Sequence, residues 1–154
     1  QRQSDGTYAL STDNGTFIQT DEVYFDEAKL NAIKDTPIWF IHAADDTIVA
    51  PENYSLPIYK SLLDSGATNA WFSYYESVEG SDIKGMTYPG HWSWLYFFND
   101  EVFGVQSMAD IKKATDLSGF SPNNADKGGR SQAKVNGICY HNLFDWLNVQ
   151  KKPF

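Results

Sequence analysis

No stretch of this chain approaches the roughly 20 apolar residues that a membrane-spanning helix needs, so the sequence reads as a soluble protein. Basic residues are scarce: 12 Lys and Arg stand against 20 Asp and Glu in 154 residues, a formal net charge of −8. Such a surface is ill-suited to neutralising phosphates, which argues against nucleic acid as a partner and against docking to an anionic membrane. With one cysteine there is no internal disulfide. Cys139 sits in the apolar stretch Gly137-Ile138-Cys139-Tyr140 and is expected to be a buried, inert thiol. His-x-x-x-His spacing and cysteine pairs are both missing, so His42, Asp45, Asp46 and His91 make a poor metal set, and no metal or organic cofactor is expected. An initiating Met and a signal peptide are also lacking, and the chain is read as a processed or trimmed piece of something larger. Asn14-Gly15-Thr16 and Asn53-Tyr54-Ser55 match the glycosylation triplet, but such triplets are common by chance; the compartment stays open, with a secreted or extracellular location slightly favoured over a cytoplasmic one.

Aromatics, by contrast, are abundant. Ten Phe, nine Tyr and five Trp make up 16% of the chain, enough to build the core of one ordinary domain. An aromatic-lined sugar or acyl site is the alternative use for them. Residues 1–24 are polar, and Thr7–Ser11 and Thr16–Thr20 flank Asp13-Asn14-Gly15, which predicts a small hairpin. Apolar positions 25, 28, 30 and 33 predict a short helix over 25–34. Ile38–Ala43 is a continuous apolar run, the mark of a strand covered on both faces. A helix from Pro51 to about Asp64, stopped by Ser65-Gly66, leads to a second strand over Ala70–Val78. Together these form a βαβ unit with parallel strands. Glu79–Gly90 reads as a loop, and His91–Phe98 as a buried helix. Val102 to about Leu117 reads as a further helix or an excursion, Ser118–Asn136 as a Gly-rich mobile loop, and Asn142–Gln150 as an amphipathic terminal helix.

Functional groups in open parallel sheets collect beyond the carboxyl ends of the strands. Asp45 and Asp46 follow the first strand; His91 follows the second, after a loop long enough to fold back. A carboxylate beside an imidazole fixes its tautomer and stabilises the imidazolium formed when it takes a proton. Each residue also has a plainer use. Asp46 could cap the helix entered at Pro51, Asp45 could cap it or stay solvated, and His42 could orient the acid loop from the core edge.

The segment His42-Ala43-Ala44-Asp45-Asp46-Thr47-Ile48-Val49-Ala50-Pro51 resembles the H-G-x-x-D-x-x-V-P segment of α/β-hydrolases, with Ala43 in place of the glycine and Ala50 inserted before Pro51. Gly90-His91 resembles the dipeptide carrying the family's catalytic histidine. Phe144-Asp145-Trp146-Leu147-Asn148-Val149-Gln150 resembles the terminal D-W-L-x-x-Q helix of its esterase and prolyl-oligopeptidase-like members. The resemblance covers residues 25–98 and 138–152. It implies Asp46 as triad acid and His91 as base, and makes about 101–136 a lid-like or mobile insertion. The family's G-x-S-x-G nucleophile elbow does not occur, and Ser93 stands too close in sequence to His91 to replace it.

The expectation is therefore an α/β fold, the C-terminal part of a mainly parallel hydrolase-type sheet with flanking helices over 25–154. The implied function is ester or amide hydrolysis of a small ester or peptide, with serine and oxyanion hole supplied by the N-terminal part of the same hydrolase. The competing expectation is a non-catalytic binding or assembly domain, forming a homo-oligomer through an exposed sheet edge.

Overall fold

The computed structural model describes residues 12–13, 16–17, 26–80 and 83–150. Its first elements are β1 (Thr12–Asp13) and β2 (Thr16–Phe17), antiparallel with Thr12 opposite Phe17. The predicted first strand, Thr7–Ser11, and Ile18–Thr20 of the second lie outside the described residues, and Asp13, expected in the turn, belongs to β1. Helix α1 (Glu27–Ile33) starts where Asp26 accepts a hydrogen bond from the backbone N–H of Lys29. That cap satisfies one of the free N–H groups of the first turn.

The centre is the parallel pair β3 (Ile38–Ala43) and β4 (Ala70–Tyr75), in register from Ile38 opposite Ala70 to Ala43 opposite Tyr75. They are joined by a 3₁₀ turn at Pro51–Asn53 and helix α2 (Ser55–Asp64). Side chains alternate across a strand, so the ribbon has two apolar faces. Phe40, Phe72 and Tyr74 meet Leu56, Tyr59, Leu62 and Leu63 of α2. Trp39, Trp71 and Tyr75 face the other way, toward Tyr96, Val102, Leu143 and Trp146. The continuous apolar runs are accounted for by this double cover. The predicted second strand divides: Val78–Glu79 is a separate strand, β5, antiparallel to β6 (Thr87–Tyr88), so the expected loop over 79–90 contains a small hairpin.

A 3₁₀ turn at Gly90–Trp92 and helix α3 (Trp94–Phe98) follow. The prediction of a buried helix needs correcting, since only Tyr96 of α3 is buried, while Trp94 is 48% and Phe98 72% exposed. Beyond it come α4 (Met108–Lys113), a 3₁₀ turn at Leu117–Gly119, the hairpin β7 (Ala133–Val135) and β8 (Ile138–Tyr140), and α5 (Leu143–Leu147). Cys139 lies on β8 and is exposed, contrary to expectation; a three-residue strand of a surface hairpin covers little of what it carries.

The predicted loop Ser118–Asn136 is corrected at both ends, where it holds part of the 3₁₀ turn and all of β7; the stretch between, 120–132, is irregular and, with Gln106, is bonded along the outer edge of β4. Gln106 N–H donates to Phe72 O at 2.8 Å, Tyr74 N–H to Gly128 O at 2.8 Å, and Asn123 N–H to Tyr74 O at 2.8 Å. The buried Gln106 side chain ties the layer together, donating to Ser121 O and Gly128 O and accepting from Ser121 N–H. The Gly128-Gly129 pair is required by this approach: a Cβ on Gly128 would stand 2.7 Å from that of Ser73, and one on Gly129 2.1 Å from Val105 O. All six residues of β4 are consequently buried, whereas β3 is half-buried over Ile38–Ile41. Among the described residues β3 has no second strand neighbour.

Candidate active site

β3 ends in a loop, Ala44–Ala50, that is folded around one carboxylate. Asp46 is 5% exposed and its Oδ1 accepts the backbone N–H groups of Ile48 at 3.0 Å and Val49 at 2.9 Å. These bonds fold the loop on itself, and the role of helix cap is not taken up. The turn at Pro51 has no side-chain cap, and Asp45 is exposed. The second oxygen, Oδ2, faces two imidazoles: His42 Nε2 at 3.1 Å and His91 Nδ1 at 3.2 Å. Burial alone would push the Asp46 carboxyl up. The N–H groups of Val49 and Ile48 and the two histidines outweigh it, leaving the group below its ordinary 3.8.

His91 reaches this oxygen from a residue 45 positions away, because β6 and Pro89 turn the chain back over the end of the ribbon. The approach is close. A Cβ on Gly90 would lie 2.2 Å from Asp45 Oδ1, 2.5 Å from Asp46 N and 2.6 Å from Asp45 C. Since Asp46 Oδ2 can only accept, the proton of neutral His91 belongs on Nδ1. Its Nε2 is then a bare lone pair, without a hydrogen-bond partner among the described residues, on a side chain that is 43% exposed. A buried anion thus fixes the tautomer of an exposed base.

The two sequence-predicted site residues are brought together, and His42 is the core-edge histidine expected. Ser55 was not foreseen: its hydroxyl lies 2.6 Å from His42 Nδ1. A serine in the first turn of a helix carries no special sequence signal, so only the folded geometry reveals it. Ser93 is buried and makes no hydrogen bond to His91. Beside His91 runs a row of rings, Tyr88 to Trp92 at 5.9 Å, Trp92 to Trp94 at 6.1 Å and Trp94 to Phe98 at 5.8 Å between centroids. Trp92 is 42% exposed, so this row presents apolar area to solvent next to the base.

The arrangement defines a carboxylate–imidazole pair at the carboxyl end of a parallel βαβ ribbon. No protein-family model, curated protein or solved structure matches the chain, so its class is argued from residues and geometry.

Proposed function

We propose that this chain contributes the acid and base of a serine-hydrolase active site and belongs to the C-terminal part of an α/β-hydrolase-type sheet. The observation that carries the reading is the Asp46 Oδ2 to His91 Nδ1 contact of 3.2 Å, on an imidazole side chain that is 43% exposed. In the reaction, His91 Nε2 takes the proton of a serine hydroxyl as its oxygen attacks the carbonyl carbon of an ester or amide. The imidazolium that forms is held by Asp46 through Nδ1–H. It then returns the proton to the departing alkoxide or amine, and a water repeats the sequence to free the acid. The serine and the oxyanion N–H groups come from outside residues 1–154, in the N-terminal part of the same hydrolase. The open flank of β3 is where further strands of such a sheet would add. An uncharged ester suits the aromatic row and the neighbouring acids better than an anionic substrate does.

A non-catalytic assembly domain is the second reading, favoured by the exposed rings of Trp92, Trp94 and Phe98. Hydrolysis of 4-nitrophenyl acetate separates the two. The isolated chain is expected to show no His91-dependent turnover. The full product of its gene is expected to hydrolyse the ester and to lose at least about 10⁴-fold in His91→Ala. Turnover by the isolated chain that disappears in His91→Ala would put the nucleophile inside it. Undiminished activity of the full product in His91→Ala would favour assembly.

A further inference from the structure

Asp46 Oδ2 is shared by two histidines, and the second has no part in the proton transfer just described. His42 projects from β3 on the α2 side, with its side chain 9% exposed. Its Nε2 faces two groups that can only accept, Asp46 Oδ2 at 3.1 Å and Val49 O at 2.9 Å. Nε2 therefore carries a proton. In the neutral ring Nδ1 is then a lone pair, and the Ser55 hydroxyl at 2.6 Å donates to it.

Ser55, His42 and Asp46 thus form a hydrogen-bonded chain of the residue types found in a triad. Chemistry at Ser55 is excluded by two features. The ring is enclosed, and the nitrogen facing Asp46 is also tied to the Val49 carbonyl, so the ring is fixed as part of the acid loop.

We infer that His42 is a positioning residue for His91, acting through their shared oxygen, with Ser55 holding it in the Nε2–H tautomer; this rests on reading Asp46 and His91 as acid and base. Two effects follow. The first is geometric. Ile48 and Val49 N–H hold Oδ1 while His42 holds Oδ2, so the carboxylate cannot swing away from His91. The second is electronic. An N–H donated by His42 takes part of the negative charge on Oδ2 that His91 would otherwise receive alone.

The surroundings do not offer another explanation for such tuning. Asp45 abuts Gly90 in the His91 turn, and Glu52 in the turn before α2 bears on Tyr74, which pairs with His42 across the ribbon. Tyr96 of α3 feels Asp45. These neighbours are two carboxylates, Asp45 and Glu52, and two phenols that burial pushes up, Tyr74 and Tyr96, and no cation is among them.

The test is a pH titration of the three histidine rings by proton–nitrogen correlation NMR, with exposed His141 as internal reference. In His42→Leu, which removes the donor, His91 is expected to titrate about half to one pH unit higher. In His42→Gln, whose amide N–H can occupy the place of Nε2–H, it returns to near the wild-type value. A merely structural role would not distinguish these two variants by the His91 midpoint. An unchanged or lowered midpoint in folded His42→Leu, or equal midpoints in the Leu and Gln variants, overturns the inference. If His42→Leu does not fold, Ser55→Ala carries the test, with a smaller upward shift expected and none overturning it. Asp46→Asn separates the levels. Its failure to lower the His91 midpoint removes the acid–base reading and this inference together. A lowered midpoint in Asp46→Asn alongside an unmoved one in His42→Leu removes only the inference.

Discussion

Replacing Gly90 with alanine is expected to take His91 off Asp46 and to destabilise the fold by about 2–3 kcal/mol, in the range for forcing atoms into a packed site. The atoms in the way are largely backbone: a Cβ would meet Asp46 N at 2.5 Å and Asp45 C at 2.6 Å, in addition to Asp45 Oδ1. A flexible side chain could rotate aside, but here the loop that carries Asp46 must retreat. Gly90 is absent from the positive-φ residues, so the requirement is for space and not for an unusual backbone conformation. Urea unfolding of Gly90→Ala measures the cost, and loss of the Asp46 influence on the His91 titration measures the displacement. A variant of wild-type stability with an unaltered His91 would contradict the close approach.

Asp46→Asn is expected to have the largest effect on turnover, lowering kcat of the complete enzyme by about 10⁴-fold, as loss of the triad anion does elsewhere. The asparagine amide would present N–H to one pair of donors, since both carboxylate oxygens are in use: Oδ1 for Ile48 and Val49, Oδ2 for His42 and His91. Mispairing at so enclosed a site is expected to cost about 2–3 kcal/mol of stability as well. That cost has a definite pH dependence. The folded pKa of Asp46 lies below the ordinary 3.8, so the stability it contributes is full above 3.8 and is lost as pH falls through the lower folded value. The stability gap between wild type and Asp46→Asn should therefore not narrow as pH falls from neutrality, and should close only in acid, below the ordinary 3.8. A gap that closed between pH 5 and 7 would mean that the histidines, not the carboxylate, govern it.

Much of the site was legible because its signals are local. The apolar run Ile38–Ala43 marked a doubly covered strand with the same limits as β3, and Asp46 and His91 were placed by what precedes them. The helix after Pro51 began as a 3₁₀ turn before α2, a detail of the backbone at Tyr54 that no side-chain pattern announces. The errors share a cause. Trp92, Trp94 and Phe98 looked like core because apolar density does not say which face a neighbour covers. Cys139 was misplaced for the same reason. The irregular layer over β4 was missed because Gln106, Asn123 and Gly128 satisfy the strand edge by single hydrogen bonds without periodicity. Ser55 could not be foreseen, since its partner His42 is 13 residues away across a turn.

The central claim, that Asp46 and His91 serve a serine lying outside residues 1–154, is tested most directly by labelling. A fluorophosphonate probe reacted with the full gene product, followed by peptide mapping, should mark one serine outside these residues. The rate of labelling should fall sharply in His91→Ala, because the serine loses the base that activates it. Labelling of a serine within the chain, Ser55 or Ser93 included, or labelling as fast without His91 as with it, would contradict the account.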